Sequence, residues 1–177
     1  MAVLSEFVET CRSALDAADA SDAPEVAEQV AAALRPLLAD AEALSAEIEA
    51  LRPPGGGPAV VHRSDDLTVL GLAVPAGFVS PVHDHTIWAV VGIYAGDEDN
   101  VFYRRGDDGI DGITETGRAV LRCGEVLALP PDAVHRIANS GTDTMRAGHV
   151  YGGDLFATHR SQWDDDTGEQ RPFGSAR

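Results

Sequence analysis

Two histidines separated by one residue are the first feature of this sequence that could do chemistry. On a β-strand the side chains of His83 and His85 point to the same face, because successive residues alternate between the two faces. Two neutral imidazoles on one face can grip a divalent metal ion. The spacing also fits two polar residues on a solvated face, so the pair alone leaves both interpretations open.

The strongly negative net charge of the chain argues against some classes of binding partner. Its 177 residues suit one domain, and 29 acidic against 13 basic residues give a net charge of −16. Every basic residue is arginine, which excludes lysine-dependent chemistry such as Schiff-base formation. A chain this acidic repels nucleic acid and anionic lipid, and it has no apolar run long enough to span a membrane. We therefore expect a small-molecule partner.

Cysteine usage indicates a reducing environment. Cys11 and Cys123 are too few and too far apart for a disulfide framework or a paired-cysteine zinc site. No charged-then-apolar signal segment opens the chain. The sequence thus predicts a cytoplasmic protein.

The chain divides into a helical and a β-rich part. Residues 1–52 place apolar side chains in three stripes at helical spacing, which predicts three helices packed on the protein's own sheet, with Pro36 breaking or kinking the second. Residues 53–58, PPGGGP, are typical of a linker. Residues 59–177 predict a barrel or sandwich with an irregular tail from residue 154. Its predicted strands are 59–63, 67–74, 87–94, 101–104, 118–122, 126–129, 134–137 and 145–151.

The residues around the histidine pair resemble the two-motif pattern of the cupins, which are small double-stranded β-helix barrels. The matching positions are Gly77, His83, His85 and Gly96 in the first motif and Gly124, Pro130, His135 and Asn139 in the second. In cupins the first motif supplies two histidine ligands and the second motif a third, all directed into the barrel. The resemblance therefore implies a mainly β cupin barrel in which His83, His85 and His135 bind a metal ion.

The first motif departs from the cupin pattern at one ligand. Most cupins have a glutamate four or five residues after the second histidine, where this chain has Ala89 and Val90. Asp84 should point to the opposite face of the strand, and Glu98 is expected in the turn after Gly96. The predicted site is therefore three neutral imidazoles that leave positions open on the ion, a variant of the facial triad of non-haem Fe(II) enzymes.

Two segments resemble the bacterial cysteine dioxygenase-type enzymes, and most of all their 3-mercaptopropionate branch. The segments are 81–92, PVHDHTIWAVVG, and 149–154, HVYGGD. Enzymes of this type bind a thiol and O2 at a three-histidine Fe(II) site and convert the thiol to a sulfinic acid. The resemblance thus implies an oxidoreductase with Fe(II) as its cofactor and a thiol and O2 as its partners.

The same resemblance implies a catalytic pair beside the metal. The family's Ser-x-His-x-Tyr relay reads here as 147–151, AGHVY, so His149 and Tyr151 occupy the histidine and tyrosine positions. These two residues can share the inner face of a strand, because they lie two positions apart. Ala147 stands where the family has serine, which leaves His149 to be oriented by water, backbone or another side chain. A buried structural pair without a catalytic role is the alternative.

Three residues are candidates for substrate binding. The resemblance places the carboxylate-binding arginine at Arg160, nine residues after Tyr151, and a guanidinium can hold both carboxylate oxygens. Arg63 is the second candidate, since the animal-type cysteine enzymes draw their arginine from an early strand. Trp88 could shape the barrel wall or line a substrate pocket. Either arginine could instead form a surface salt bridge.

One hypothesis and two alternatives follow. The hypothesis is an Fe(II)- and O2-dependent thiol dioxygenase that oxidises a small carboxylated thiol, 3-mercaptopropionate ahead of cysteine, as a monomer or small homo-oligomer. The first alternative is a three-histidine cupin of other chemistry, such as carbon–carbon cleavage of a diketone. The second is a cupin that binds a small ligand without turnover.

Overall fold

Three helices open the chain in the computed structural model, which describes residues 2–18, 22–106 and 112–174. They are α1 (Ala2–Asp16), α2 (Ala23–Leu38) and α3 (Ala41–Glu49), as their apolar stripes predict. Of the two outcomes predicted for Pro36, a break or a kink, the break does not occur, because α2 continues through the proline to Leu38. Within the ranges given, none of the helices is long and apolar enough to cross a membrane.

The strands of the described ranges form two antiparallel sheets. Their bounds are β1 (Ala59–Arg63), β2 (Thr68–Val74), β3 (Val82–Asp84), β4 (Ala89–Ala95), β5 (Glu98–Arg105), β6 (Ile113–Leu121), β7 (Val126–Leu129), β8 (Val134–Ala138), β9 (Met145–Tyr151), β10 (Arg160–Trp163) and β11 (Gln170–Phe173). One sheet has the order β1-β2-β9-β4-β7, and the other has the order β11-β10-β3-β8-β5-β6. The fold is the mainly β, cupin-like barrel with an N-terminal helical segment that the resemblance implies.

The tail is not irregular, contrary to the sequence prediction. β10 pairs with β11 and also with β3, where Gln162 lies opposite His83. Trp163 is buried against Val82 and Val134 on the outer face of the six-stranded sheet. These strands have four residues each and are mostly polar, so they lack the apolar alternation that identifies a strand in sequence. The tail thereby supplies a strand beside the histidine pair.

The five-stranded sheet is covered on both faces. Along β4, Val90 packs with the helices, whereas Val91 and Ile93 point into the barrel. Glycines let the helices approach this sheet closely: a Cβ at Gly71 would lie 2.2 Å from Ile48 Cγ2. The helical segment therefore packs on the barrel, and the division of the chain at 53–58 stays a prediction.

Replacing Gly71 with alanine is expected to destabilise the protein by about 1–3 kcal/mol, because the new methyl group overlaps Ile48 on α3. In an Ile48→Ala background the same change should be close to neutral, since Cγ2 is gone. Urea denaturation of the two single variants and the double variant measures this coupling. Gly117→Ala is the control, because a Cβ there has no atom within 4 Å. Equal losses for Gly71→Ala and Gly117→Ala would contradict the close approach.

Candidate metal centre

The structure brings the three predicted metal ligands together. His83 on β3 lies directly opposite His135 on β8, and His85 follows the end of β3. The ring centroid of His83 lies 5.0 Å from that of His85 and 4.8 Å from that of His135. One nitrogen from each ring can be chosen so that all three lie within 4.8 Å of one another. This cluster of side chains could hold a metal ion.

Hydrogen bonds behind two of the rings leave the metal-binding nitrogens free. His83 Nδ1 donates to the backbone carbonyl of Pro81 over 3.0 Å, and His135 Nδ1 donates to Asn100 Oδ1 over 3.0 Å. An oxygen of either kind can only accept, so the proton is on Nδ1 and the lone pair is on Nε2. Among the described residues, the buried Nε2 of His135 has no hydrogen-bond partner. The donor set therefore fits a metal ion.

Burial keeps these histidines in their neutral form. It lowers the pKa of His83 to about 4 and holds the pKa values of His85 and His135 well below the usual value for histidine. Nitrogen ligands must be unprotonated to bind a metal, so the cluster needs no proton release at neutral pH. Three neutral imidazoles suit Fe(II) and also other divalent transition metals.

Asp84 lies outside the cluster, on the opposite face of β3, as alternation predicts. Its carboxylate is buried, pairs with Arg105 at 2.5 Å and accepts the backbone N–H of Ser161 at 2.7 Å. The guanidinium of Arg105 also lies over the ring of Trp163. Asp84 thus fastens β3 to β10 and provides no ligand.

Glu98 is not in a turn, contrary to the sequence prediction. It begins β5 and is fully buried, and its Oε1 accepts a hydrogen bond from Asn100 Nδ2 over 3.0 Å. Burial raises the pKa of Glu98 to about 7. Sequence reasoning missed Asn100 entirely. The available signal was alternation, since Glu98, Asn100 and Phe102 share one face of β5.

A cavity of about 390 Å³ opens onto the three imidazoles. Its wall is mostly apolar and contains Leu70, Leu72, Val74, Phe78, Ile137 and Leu155. Four further polar side chains line it, namely those of Ser80, His149, Tyr151 and Arg160. Among the described residues that line this cavity, none is acidic. The cavity therefore offers a small anionic molecule one cation and an apolar surface.

His149 and Tyr151 face this cavity from β9, on the five-stranded sheet. A 3.0 Å hydrogen bond joins His149 Nδ1 to the hydroxyl of Tyr151. The ring centroids of Tyr151 and His85 lie 5.1 Å apart, which places the phenol beside the cluster of three histidines. Burial lowers the pKa of His149 to about 3 and raises the pKa of Tyr151 above its usual value, so both groups are neutral.

Arg160 lies at the cavity end of β10. Its guanidinium stacks over the ring of Phe173 at 4.9 Å, and its buried Nε has no hydrogen-bond partner among the described residues. Within that same part of the chain, no carboxylate forms an ion pair with it. Burial lowers the pKa of Arg160, which remains a cation. The arginine is thus available to an anionic ligand.

The other two candidates for substrate binding lie away from the cavity. Arg63 is half exposed, holds Asp154 through two 2.9 Å hydrogen bonds and stacks over Phe156, so it forms the surface salt bridge that was its alternative. Trp88 is buried on the helix side of the five-stranded sheet, where a Cβ on Gly152 would overlap its ring. Neither side chain lines the cavity.

Comparisons with solved structures find matches of low similarity, several of them described as cupin or double-stranded β-helix proteins. A double-stranded β-helix protein from Klebsiella pneumoniae is 20% identical over 70% of this chain and 90% of its own, with a TM-score of 0.44. An RmlC-like cupin from Methanocaldococcus jannaschii is 13% identical over 56% of this chain and 81% of its own, with a TM-score of 0.45. The DMSP lyase DddQ from Ruegeria pomeroyi is 23% identical over 55% of this chain, with a TM-score of 0.42.

These similarities are too low to indicate a function. For three of the similar structures, DddQ among them, the match spans between 42% and 51% of their length. A scan against models of known protein families found no match. Identities below 25% and TM-scores below 0.5 carry no information about the chemistry of the site.

Proposed function

We propose that this protein is an Fe(II)-dependent thiol dioxygenase that converts a small carboxylated thiol to its sulfinic acid. The observation that supports this most is that three neutral imidazoles and an arginine without an ion-pair partner among the described residues open into one apolar cavity. The reaction RSH + O2 → RSO2H balances without another reagent. Sulfur loses four electrons, O2 gains them, and the product keeps both oxygen atoms.

The charges around the cavity favour 3-mercaptopropionate over cysteine. Arg160 can hold the carboxylate of either thiol. Cysteine also carries an ammonium group, which would enter a cavity with no acidic residue among its described lining. A buried charge without a partner is strongly disfavoured. The substrate class is therefore a thiol with a carboxylate and no amino group.

Besides the three predicted metal ligands, Arg160, Tyr151 and His149 each have a distinct task in this proposal. Iron held by the three imidazoles supplies open coordination positions and redox chemistry with O2. Arg160 binds the carboxylate of the substrate, so the substrate's sulfur faces the three-histidine site in one orientation. Tyr151 keeps its proton and can donate a hydrogen bond to an oxygen that becomes negative, while His149 holds the phenol in place. The apolar wall excludes water from the reacting groups.

Oxygen uptake by the iron-loaded protein tests the proposal. With 3-mercaptopropionate we expect one O2 consumed per thiol and a sulfinic acid product, both checked with an oxygen electrode and mass spectrometry. The value of kcat/KM should be about 10-fold or more above that for cysteine, which corresponds to about 1.4 kcal/mol or more against the unpaired ammonium. Cysteamine, which has an amine and no carboxylate, should react more slowly still.

Other outcomes of the same experiment select the alternatives. Oxygen uptake on a diketone such as acetylacetone, without any on thiols, would identify carbon–carbon cleavage. Tight binding of a thiol acid without turnover would identify a binding protein. Equal kcat/KM for 3-mercaptopropionate and cysteamine would remove the carboxylate from the substrate class.

A further inference from the structure

A buried chain of hydrogen bonds leads away from the third predicted metal ligand. His135 Nδ1 donates to Asn100 Oδ1, and Asn100 Nδ2 donates to Glu98 Oε1, each over 3.0 Å. Glu98 and Asn100 lie on β5 and are 0% and 1% exposed. Among the described residues, Glu98 Oε2 is buried and has no hydrogen-bond partner. The carboxyl group of Glu98 thus lies two hydrogen bonds from His135, one of the three clustered histidines.

Each member of this chain fixes the direction of the next. Glu98 Oε1 accepts a hydrogen bond from Asn100 Nδ2, so the amide of Asn100 has Nδ2 toward Glu98 and Oδ1 toward His135. Because Oδ1 only accepts, the neutral imidazole carries its proton on Nδ1 and presents a lone pair on Nε2. Phe102, opposite His135 in the strand register, stacks on the ring with an angle of 15° between the planes. Both the tautomer and the plane of the ring are thereby set.

Among the described residues, the two other predicted ligands have no such side-chain hydrogen bond. His83 is oriented by a backbone carbonyl, that of Pro81, which no side-chain substitution removes. His85 is followed by Thr86, whose hydroxyl donates to the backbone carbonyl of His159 and so links this segment to the start of β10. His135 is therefore the ligand whose orientation depends on side chains.

We propose that Glu98 and Asn100 are positioning residues for the metal centre: the carboxylate orients the amide, and the amide holds His135 in the tautomer that binds the ion. This inference rests on the proposed metal site and concerns the affinity for the ion. When it is ionised, Glu98 places a negative charge behind a ligand set that is itself neutral, and such outer carboxylates increase the basicity of the imidazole. The carboxyl group absent from the ligand positions thus lies two hydrogen bonds behind His135.

Metal affinity of two variants tests the inference. Fe(II) is titrated anaerobically into metal-free protein against a chelator. Asn100→Ala should lower the affinity by about 10- to 100-fold, the range for loss of an outer hydrogen-bond partner. Glu98→Gln has nearly the same shape but can both donate and accept, so it no longer fixes the amide, and it should lower the affinity by roughly 10-fold.

Asp99→Asn is the matched control. It removes the same charge from the neighbouring position on the opposite face of β5, so its Fe(II) affinity should stay within about 2-fold of the parent protein. Thermal unfolding of each metal-free variant shows whether the fold is retained. Folded Glu98→Gln and Asn100→Ala proteins that also bind Fe(II) within 2-fold of the parent would overturn the inference.

A second measurement needs no variant. In the metal-free parent protein, 15N NMR of the histidine rings should show the proton of His135 on Nδ1, and Glu98→Gln should populate both tautomers. A proton on Nε2 in the parent would overturn the inference. A parent protein that binds Fe(II) but oxidises no thiol would contradict the proposed function and leave this inference standing.

Discussion

His135→Ala is expected to abolish Fe(II) binding, with a loss of at least about 100-fold in affinity. The two remaining imidazoles come from one short segment and cannot enclose an ion, whereas His135 completes the cluster from β8. Metal analysis of protein reconstituted with Fe(II) and passed through a desalting column measures the effect. Oxygen uptake should fall to background in the same sample.

His62→Ala is the control for that experiment. His62 lies on β1, is partly buried and hydrogen-bonds Ser64, so it takes no part in the metal cluster. This variant should retain one iron per chain. Full iron occupancy in the His135→Ala protein would refute the assignment of the third ligand.

Arg160→Ala is expected to raise the KM for 3-mercaptopropionate by about 10-fold or more. The reason is the loss of a charge-assisted, two-oxygen contact, worth about 1.5–3 kcal/mol. The KM for a thiol without a carboxylate, such as cysteamine, should change little. Steady-state oxygen uptake with both thiols measures the difference.

The matched control for this second variant is Arg63→Ala. Arg63 is bound to Asp154 at the surface, and exposed ion pairs contribute only about 0–1 kcal/mol, so the KM for both thiols should stay near the parent value. If Arg160→Ala affects both thiols equally, Arg160 does not bind the carboxylate. A KM increase for 3-mercaptopropionate in Arg63→Ala would restore Arg63 as the candidate.

Much of the fold is predictable because the buried face of a helix or strand requires apolar residues at regular spacing in the sequence. The three helical stripes repeat at helical spacing, and the strands predicted between residues 59 and 151 are short apolar or alternating runs; the structure confirms them and adds the three-residue β3. β10 and β11 escape prediction because their sequences, RSQW and QRPF, are polar and their role is set by pairing with distant β3. Long-range pairing of this kind leaves no local signal.

The site, like the fold, is predictable where the signal is local and unpredictable where it depends on residues distant in sequence. Alternation correctly predicts that His83 and His85 share a face and that Asp84 does not, because it depends on local backbone geometry alone. Charge alone cannot separate Arg160 from Arg63, since the choice depends on whether a carboxylate lies nearby in space. Glu98 was misplaced because a charged residue after glycine usually indicates a turn, and its burial is visible only once β5 is paired.

The anchoring of Arg160 has a consequence for how this protein could diversify. The arginine is carried by the β10–β11 hairpin and rests on Phe173, whereas His83 and His135 belong to β3 and β8. The same hairpin also touches the histidine cluster, because β10 pairs with β3 and the ring centroid of Phe173 lies 5.0 Å from that of His83. Under the proposed function, sequence changes in the hairpin would therefore alter the choice of acid and the surroundings of one metal ligand together.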